Sequence, residues 1–114
     1  MRRKRAKVVH VLLAEVATTS ADVAGTSSRL AKVARLAACF SAAESYEVGV
    51  AVAYLSGVLP QGSIGVGWAA LRSLPPSAAE PSLELLEVDA AASRLAEISG
   101  PGSQSARREE LDTL

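Results

Sequence analysis

Three segments of the sequence place small or hydroxyl-bearing residues directly before a predicted helix, at residues 26–28, 65–67 and 102–103. Helix N-termini present free backbone N–H groups with a partial positive charge, which is the chemistry that binds phosphate groups. The same residue types are also ordinary helix caps, which every helical protein needs. The pattern therefore indicates either a phosphate-binding surface or plain capping, and binding requires the three helix starts to share one face.

The sequence holds no constellation that supports catalysis. Its single histidine, His10, lies in an apolar stripe, where a partly buried structural role fits better than general-base chemistry. Zinc-ligand spacing is absent, and Glu84, Glu87 and Asp89 fit the solvated face of a helix. The glycines at 65–67 follow no strand and precede no Walker lysine. We predict no catalytic residue, no metal ligand and no cofactor site in this chain.

The composition favours closely packed helices. The hydrophobic fraction is 49% and the aromatic fraction only 4%, so Ala, Val and Leu build the interior and few rings are available to stack on bases. A length of 114 residues suffices for one domain. The formal net charge of +0 conceals a basic N-terminus, because residues 2–7 hold five of the 12 Lys and Arg residues. We interpret residues 1–8 as a basic disordered arm, with contact to nucleic acid or anionic lipid as the alternative.

The sequence favours a cytoplasmic protein. The apolar stretch 48–59 is shorter than the roughly 20 residues that a membrane span requires. A signal peptide is disfavoured because His10 and Glu15 interrupt the short apolar run behind the arm. The single cysteine, Cys39, lies among apolar residues, and we predict that it is buried. We therefore expect a soluble protein in the reducing cytoplasm, with no membrane partner.

Apolar residues at steps of three and four predict about six helices. The first such stripe runs over residues 9–23 and the longest later one over 85–98. The second helix carries an apolar stripe predicted to face the core, made of Leu30, Val33, Ala34, Ala37 and Phe40. Its opposite side carries Arg29, Lys32 and Arg35.

We expect the third helix to open at Glu44 or Ser45, with Val48, Val52 and Leu55 on one face. A strand is the weaker alternative there.

The remaining elements are short. A helix over 68–74 ends before Pro75, and the last helix is capped by Ser103 or Ser105. Without a convincing strand, the predicted fold class is all-α, a compact bundle of about six short helices.

Three strings in this order resemble the start of bacterial ATP-dependent DNA ligases. They are TSSRLAKVARLAA at 26–38, AYLSGVLPQGSIGVGWAALRSLPP at 53–76 and SGPGSQSARR at 99–108. The pairing of the last two is typical of the actinobacterial branch. The similarity runs from about Leu12 to Leu114, and the basic arm falls outside it. We interpret residues 9–114 as the N-terminal part of a ligase DNA-binding domain, truncated at its C-terminus and therefore incomplete.

The resemblance implies an all-helical domain that clamps nicked duplex DNA through phosphate contacts across the minor groove. Such contacts position the protein without reading sequence. The residues that match the family as DNA-binding candidates are Ser27, Ser28, Arg29, Gly102, Ser103, Gln104 and Arg107. Gly65 and Gly67 match as well, and there we expect a structural loop. For Arg29 and Arg107 the alternative is a solvated helix residue.

The resemblance also defines what this sequence lacks. The full-length family uses ATP and Mg²⁺ and carries the adenylated lysine in a KxDG motif, which does not occur here. The nucleotidyltransferase and OB domains are missing too. The chain alone is thus expected to be inactive in nick sealing. Its expected partners are nicked duplex DNA and the missing ligase domains, in DNA repair, replication or recombination.

Two alternatives have no ligase role. An Ala, Val and Leu-rich half-domain can expose an apolar face and act as a self-association or protein-interaction module. A small helix-turn-helix regulator is the other, but no helix has the basic and amide-rich face that major-groove readout requires.

Overall fold

The computed structural model describes residues 10–114, apart from the side chains of residues 68 and 69. Within this part it contains six helices, namely α1 Leu13–Ala24, α2 Arg29–Ser41, α3 Ser45–Leu55, α4 Trp68–Arg72, α5 Leu85–Glu97 and α6 Ser103–Asp112. These described residues form no strand, and an isolated antiparallel bridge joins Leu12 to Glu84. The predicted all-α bundle is confirmed. The arm predicted at residues 1–8 lies outside the described residues.

The hydrophobic core lies where α1, α3 and α5 meet. Its buried members are Val11, Val16, Ala51 and Leu85, and the last two are completely buried. Small residues such as Ala51 let helices approach closely, which fits an interior poor in aromatic rings. Helix α2 packs mainly on α1, and α6 packs mainly on α5. Each of these two outer helices is therefore held to the core chiefly through one neighbour.

Helix α1 begins later than its apolar stripe predicts. The stripe predicts a helix from Val9, whereas the helix begins at Leu13. Residues 11–13 pair instead with residues 83–85: the Leu13 N–H donates to the Leu83 carbonyl at 2.9 Å, and the Leu85 N–H donates to the Val11 carbonyl at 2.8 Å. A buried extended segment needs apolar residues just as a buried helix face does. The spacing of apolar residues therefore did not distinguish the extended residues 11 and 12 from the helix that follows them.

The face of α2 that turns towards α1 is not the predicted one. Leu30 is 82% exposed and Val33 is 57% exposed, while Cys39 is 1% exposed. The prediction of a buried Cys39 is confirmed, but the stripe from Leu30 to Ala37 faces away from the core. The prediction of a core-facing stripe was therefore wrong for all its members except the half-buried Phe40.

Two ion pairs join α2 to α1 in this orientation. The Arg35 Nε donates to Asp22 Oδ2 at 2.7 Å, and its Nη2 donates to Glu15 Oε2 at 3.2 Å. Glu15 and Asp22 are about two turns apart on α1, so they lie on one side of it and a single guanidinium reaches both. Arg35 and the buried Cys39, four residues apart, therefore lie on the inward side of α2, while Leu30 and Val33 are exposed.

Helices α3 and α5 both begin with a capping box. The N-cap residues are Glu44 and Glu84, and each is paired with the glutamate three positions on, Glu47 and Glu87. The predicted start of α3 is confirmed, and so is helix rather than strand. Its buried face differs from the prediction, since Glu47 and Ala51 are buried and Val52 is 44% exposed.

No helix within residues 10–114 has both the length and the apolar character needed to cross a membrane.

Candidate nucleic-acid interface

The start of α2 carries three of the predicted site residues. Ser28 is the N-cap, and its Oγ accepts a hydrogen bond from the Ala31 N–H at 3.1 Å. The Thr26 Oγ1 in turn accepts from the Ser28 N–H at 3.1 Å. The side chains of Ser27 and Arg29 are exposed. The first-turn N–H groups that Ser28 does not bind have no partner within the helix, so this start offers donors to an anion.

The first turn of α2 also carries two cations that form no ion pair among the described residues. In the described part of the chain, Arg35, Arg94 and Arg108 each form an ion pair with a carboxylate. The hydrogen bond with Asp22 raises the pKa of Arg35, whose charge is paired with carboxylates of α1. Arg29 and Lys32 have no carboxylate partner among the described residues. They lie one turn apart, which leaves two cations for an external anion beside the exposed serine.

The start of α6 is built differently. Gly102 is its N-cap, with φ +78°, a left-handed conformation that glycine adopts without steric cost. The predicted caps Ser103 and Ser105 are both inside the helix, so that prediction was wrong. Gln104 is exposed and Ser103 is half-buried. No side-chain hydrogen bond caps this helix, and the first of its N–H groups, that of Ser103, donates to the Gly100 carbonyl at 3.1 Å.

Arg107, the remaining predicted site residue, is turned towards the protein. Its Nη2 donates to the Ile98 carbonyl at 2.8 Å, and its Nη1 lies 3.5 Å from Ser103 Oγ. The guanidinium rests on Gly65, where an added Cβ would lie 2.6 Å from its Cζ. Arg107 thereby brings the segment 65–67 to the start of α6.

The three small-residue segments are thus placed in two groups. Segments 65–67 and 102–103 meet through Arg107, while segment 26–28 belongs to the α1–α2 pair. No hydrogen bond or ion pair of the described residues joins Ser27, Ser28 or Arg29 to the residues at the start of α6.

Sequence reasoning missed two residues that shape this region. The Gln61 Nε2 lies 2.8 Å from Asp89 Oδ1, 3.1 Å from the Asp89 carbonyl and 3.0 Å from Ser93 Oγ, and so fastens the loop after α3 to α5. The sequence feature that could have pointed to Gln61 was its place in the LPQG string. Glu47 is the second, and its signal was the spacing from Glu44, three residues earlier, in a capping box.

Metal chemistry finds no support in the part of the chain that the structure describes. No three His, Cys, Asp or Glu side chains there lie together as ligands of a metal ion would. The His10 Nδ1 lies 3.5 Å from the buried Glu47 Oε2, and its side chain is 32% exposed. This contact joins the start of the described chain to α3.

The fold and the site define an all-helical segment with two candidate helix starts. The start of α2 is capped by the Ser28 hydroxyl, and the start of α6 has no side-chain cap. Among curated proteins, the chain is 49% identical over 116 residues to a probable DNA ligase of Mycobacterium avium, covering 100% of this chain and 22% of that relative. It is 56% identical over 99 residues to DNA ligase B of Mycobacterium tuberculosis, covering 85% of this chain and 20% of the relative. A probable DNA ligase of Mycobacterium marinum is 51% identical over 106 residues. No family model and no solved structure matches the chain.

These relatives confirm the resemblance stated from the sequence, because proteins 49–56% identical to the chain are named DNA ligase. The chain spans about one fifth of the length of the relatives it matches. The alignment with the Mycobacterium avium relative covers the whole chain. It therefore includes the basic N-terminal residues, which the resemblance had placed outside the family pattern.

Proposed function

We propose that this chain binds nicked duplex DNA without reading its sequence, as the N-terminal part of the DNA-binding domain of an ATP-dependent DNA ligase. The observation that carries the proposal is the identity of 49–56% to proteins named DNA ligase. The start of α2 supports it physically, because Ser27 offers a hydroxyl and Arg29 and Lys32 offer two cations that have no carboxylate partner within residues 10–114. Phosphate contacts of this kind give affinity without sequence specificity.

The proposal extends to the rest of the enzyme. Nick sealing with ATP and Mg²⁺ is assigned to the nucleotidyltransferase and OB domains of that enzyme. A role in repair, replication or recombination and a cytoplasmic location belong to the same proposal. In this proposal, the role of the chain is to hold the duplex while those domains act.

Fluorescence anisotropy with a labelled nicked duplex tests the proposal. We expect affinity that falls with rising salt, and Arg29→Gln should reduce the slope of log affinity against log salt by about 0.9, the loss of one phosphate contact. Arg94→Gln is the matched control, because Arg94 is paired with Glu110. No binding at low salt, or equal slopes for all three proteins, would reject the proposal.

A second candidate function is self-association through α2. The exposure of Leu30 and Val33 on one face favours it, because contiguous exposed apolar surface marks interaction sites. Sedimentation velocity at rising protein concentration tests it. We expect association in the native chain and a monomer in the double variant Leu30→Glu, Val33→Glu. A native chain that stays monomeric at every concentration excludes this candidate.

A further inference from the structure

Arg107 joins three segments that are distant in the sequence. Its Nη2 binds the Ile98 carbonyl, directly after the end of α5, and its guanidinium rests on Gly65 in the loop between α3 and α4. Arg107 itself lies in the second turn of α6. One side chain thus ties together the loop, the turn 98–102 and the helix that follows the turn.

The guanidinium of Arg107 is occupied by contacts within the protein. An arginine grips a phosphate in bidentate fashion through a pair of N–H groups on one edge. Nη2, which belongs to both such edges, donates to the Ile98 carbonyl at 2.8 Å. One face of the guanidinium rests on Gly65, because an added Cβ there would lie at nearly equal distances from Cζ, Nε and Nη2, namely 2.6, 2.6 and 2.8 Å. The Nε is also buried without a hydrogen-bond partner. The charge therefore serves the interior contact and not an external anion.

The loop that receives Arg107 is fixed at a second point. Gln61 fastens it to Asp89 and Ser93 on α5, four residues before Gly65. Gly65 has φ +74°, in the left-handed region that glycine adopts without steric cost and other residues rarely adopt. Because the loop is held in this way, Gly65 offers a fixed contact to the guanidinium. We call this contact of Arg107 with Gly65 the seat.

We infer that Arg107 is a positioning residue. It seats on Gly65 and holds the turn 98–102, and through this turn it sets the orientation of Gly102, Ser103 and Gln104 at the start of α6. The inference rests on the proposed function in one respect, namely that these three residues contact DNA. It replaces the direct DNA contact that the family resemblance assigned to Arg107.

Gly65→Ala tests the seat while leaving every charge in place. The new methyl group displaces the guanidinium and so breaks its bond to the Ile98 carbonyl. Gly62→Ala is a matched control in the same loop, because Gly62 has φ +76° and no neighbouring atom within 4 Å of an added Cβ. The two variants share the backbone strain of alanine at positive φ, and only the first touches Arg107.

Arg107→Gln and Arg107→Lys complete the set. Lysine keeps the charge and lacks the planar fork, so it cannot occupy the seat on Gly65 in the same way. A positioning role predicts that Gly65→Ala, Arg107→Gln and Arg107→Lys each weaken binding to nicked duplex by about fivefold, as expected for one lost hydrogen bond. The double variant Gly65→Ala, Arg107→Gln should be no weaker than either single one. The salt slope should stay that of the native chain.

A direct phosphate contact gives a different result. Arg107→Lys would then bind nearly as the native chain does, and Arg107→Gln would lower the salt slope by about 0.9. Either result overturns the inference, as does native affinity in Gly65→Ala.

Amide hydrogen exchange keeps the inference testable if the native chain binds no DNA. In that case the proposed function fails, and the exchange of residues 98–105 decides the positioning role alone. Equal loss of protection in Gly65→Ala and Arg107→Gln, but not in Gly62→Ala, supports it. Unchanged protection in all three variants overturns it.

Discussion

The carboxylate of Glu47 is completely buried and accepts a hydrogen bond from the backbone N–H of Val11, 36 residues earlier, at 2.9 Å. Its other oxygen accepts from the Glu44 N–H at 2.8 Å. One side chain therefore closes the first turn of α3 and fastens the segment before α1 to it. The contact also supports the extended conformation of residues 11 and 12, because the Val11 N–H is bound to a side chain of α3 and not to a backbone carbonyl one turn earlier.

Glu47→Gln is expected to destabilise the fold by about 2–3 kcal/mol, since an amide nitrogen would then face a backbone donor and leave both groups without an acceptor. Urea unfolding followed by circular dichroism measures the change as a lower midpoint at constant m-value. Glu80→Gln, at an exposed position, is the control and should unfold like the native chain. Equal midpoints for the two variants would contradict this account of Glu47.

The pair Arg94 and Glu110 links α5 to α6 and makes stability depend on pH. The hydrogen bond from Arg94 lowers the pKa of Glu110 below its ordinary value. A lowered pKa in the folded state contributes stability above the unfolded pKa, and this contribution is lost as the pH falls through the folded pKa. Arg94→Gln should therefore lower the Tm at pH 7, and its Tm should approach that of the native chain below about pH 4. A difference in Tm that is as large at pH 3 as at pH 7 would contradict the prediction.

The two neighbouring serines at the start of α2 should respond differently to alanine. Ser28→Ala removes the N-cap bond to the Ala31 N–H and is expected to cost about 1 kcal/mol of unfolding free energy. Ser27→Ala should leave stability within about 0.5 kcal/mol of the native value, because Ser27 is exposed and makes no side-chain hydrogen bond in the described part. Chemical denaturation of the two variants side by side measures the difference, and equal losses would show that Ser28 is not the cap.

Cys39 reports on opening of the α1–α2 contact. Its side chain is buried and not in a disulfide, so a thiol reagent reaches it only after local or global opening. We expect labelling of the native chain by a disulfide reagent to be slower than labelling in 6–8 M urea by about a hundredfold or more, a range that follows from an opening free energy of a few kcal/mol. Labelling at the same rate in both conditions would place Cys39 at the surface.

The sequence by itself determined the features that depend on near neighbours or on ancestry. The helices α3 and α5 begin where Glu44 and Glu84 stand three residues before another glutamate, because a capping box involves residues of a single turn. The apolar stripe of α5 also held, with Leu85, Ala92 and Leu95 buried. The three strings that resemble DNA ligases could be recognised in the sequence, because recognition depends only on the order and spacing of residues.

Tertiary structure alone decided which way α2 faces and where Arg107 points. Leu30 and Val33 have the periodicity of a core face, yet both are exposed, and α2 instead turns Arg35 towards Glu15 and Asp22 of α1. The seat of Arg107 on Gly65 joins positions 42 residues apart in the numbering, and no local pattern encodes such a contact. Propensity and periodicity act over a few residues, whereas the partner of a charged side chain is known only once the helices have packed.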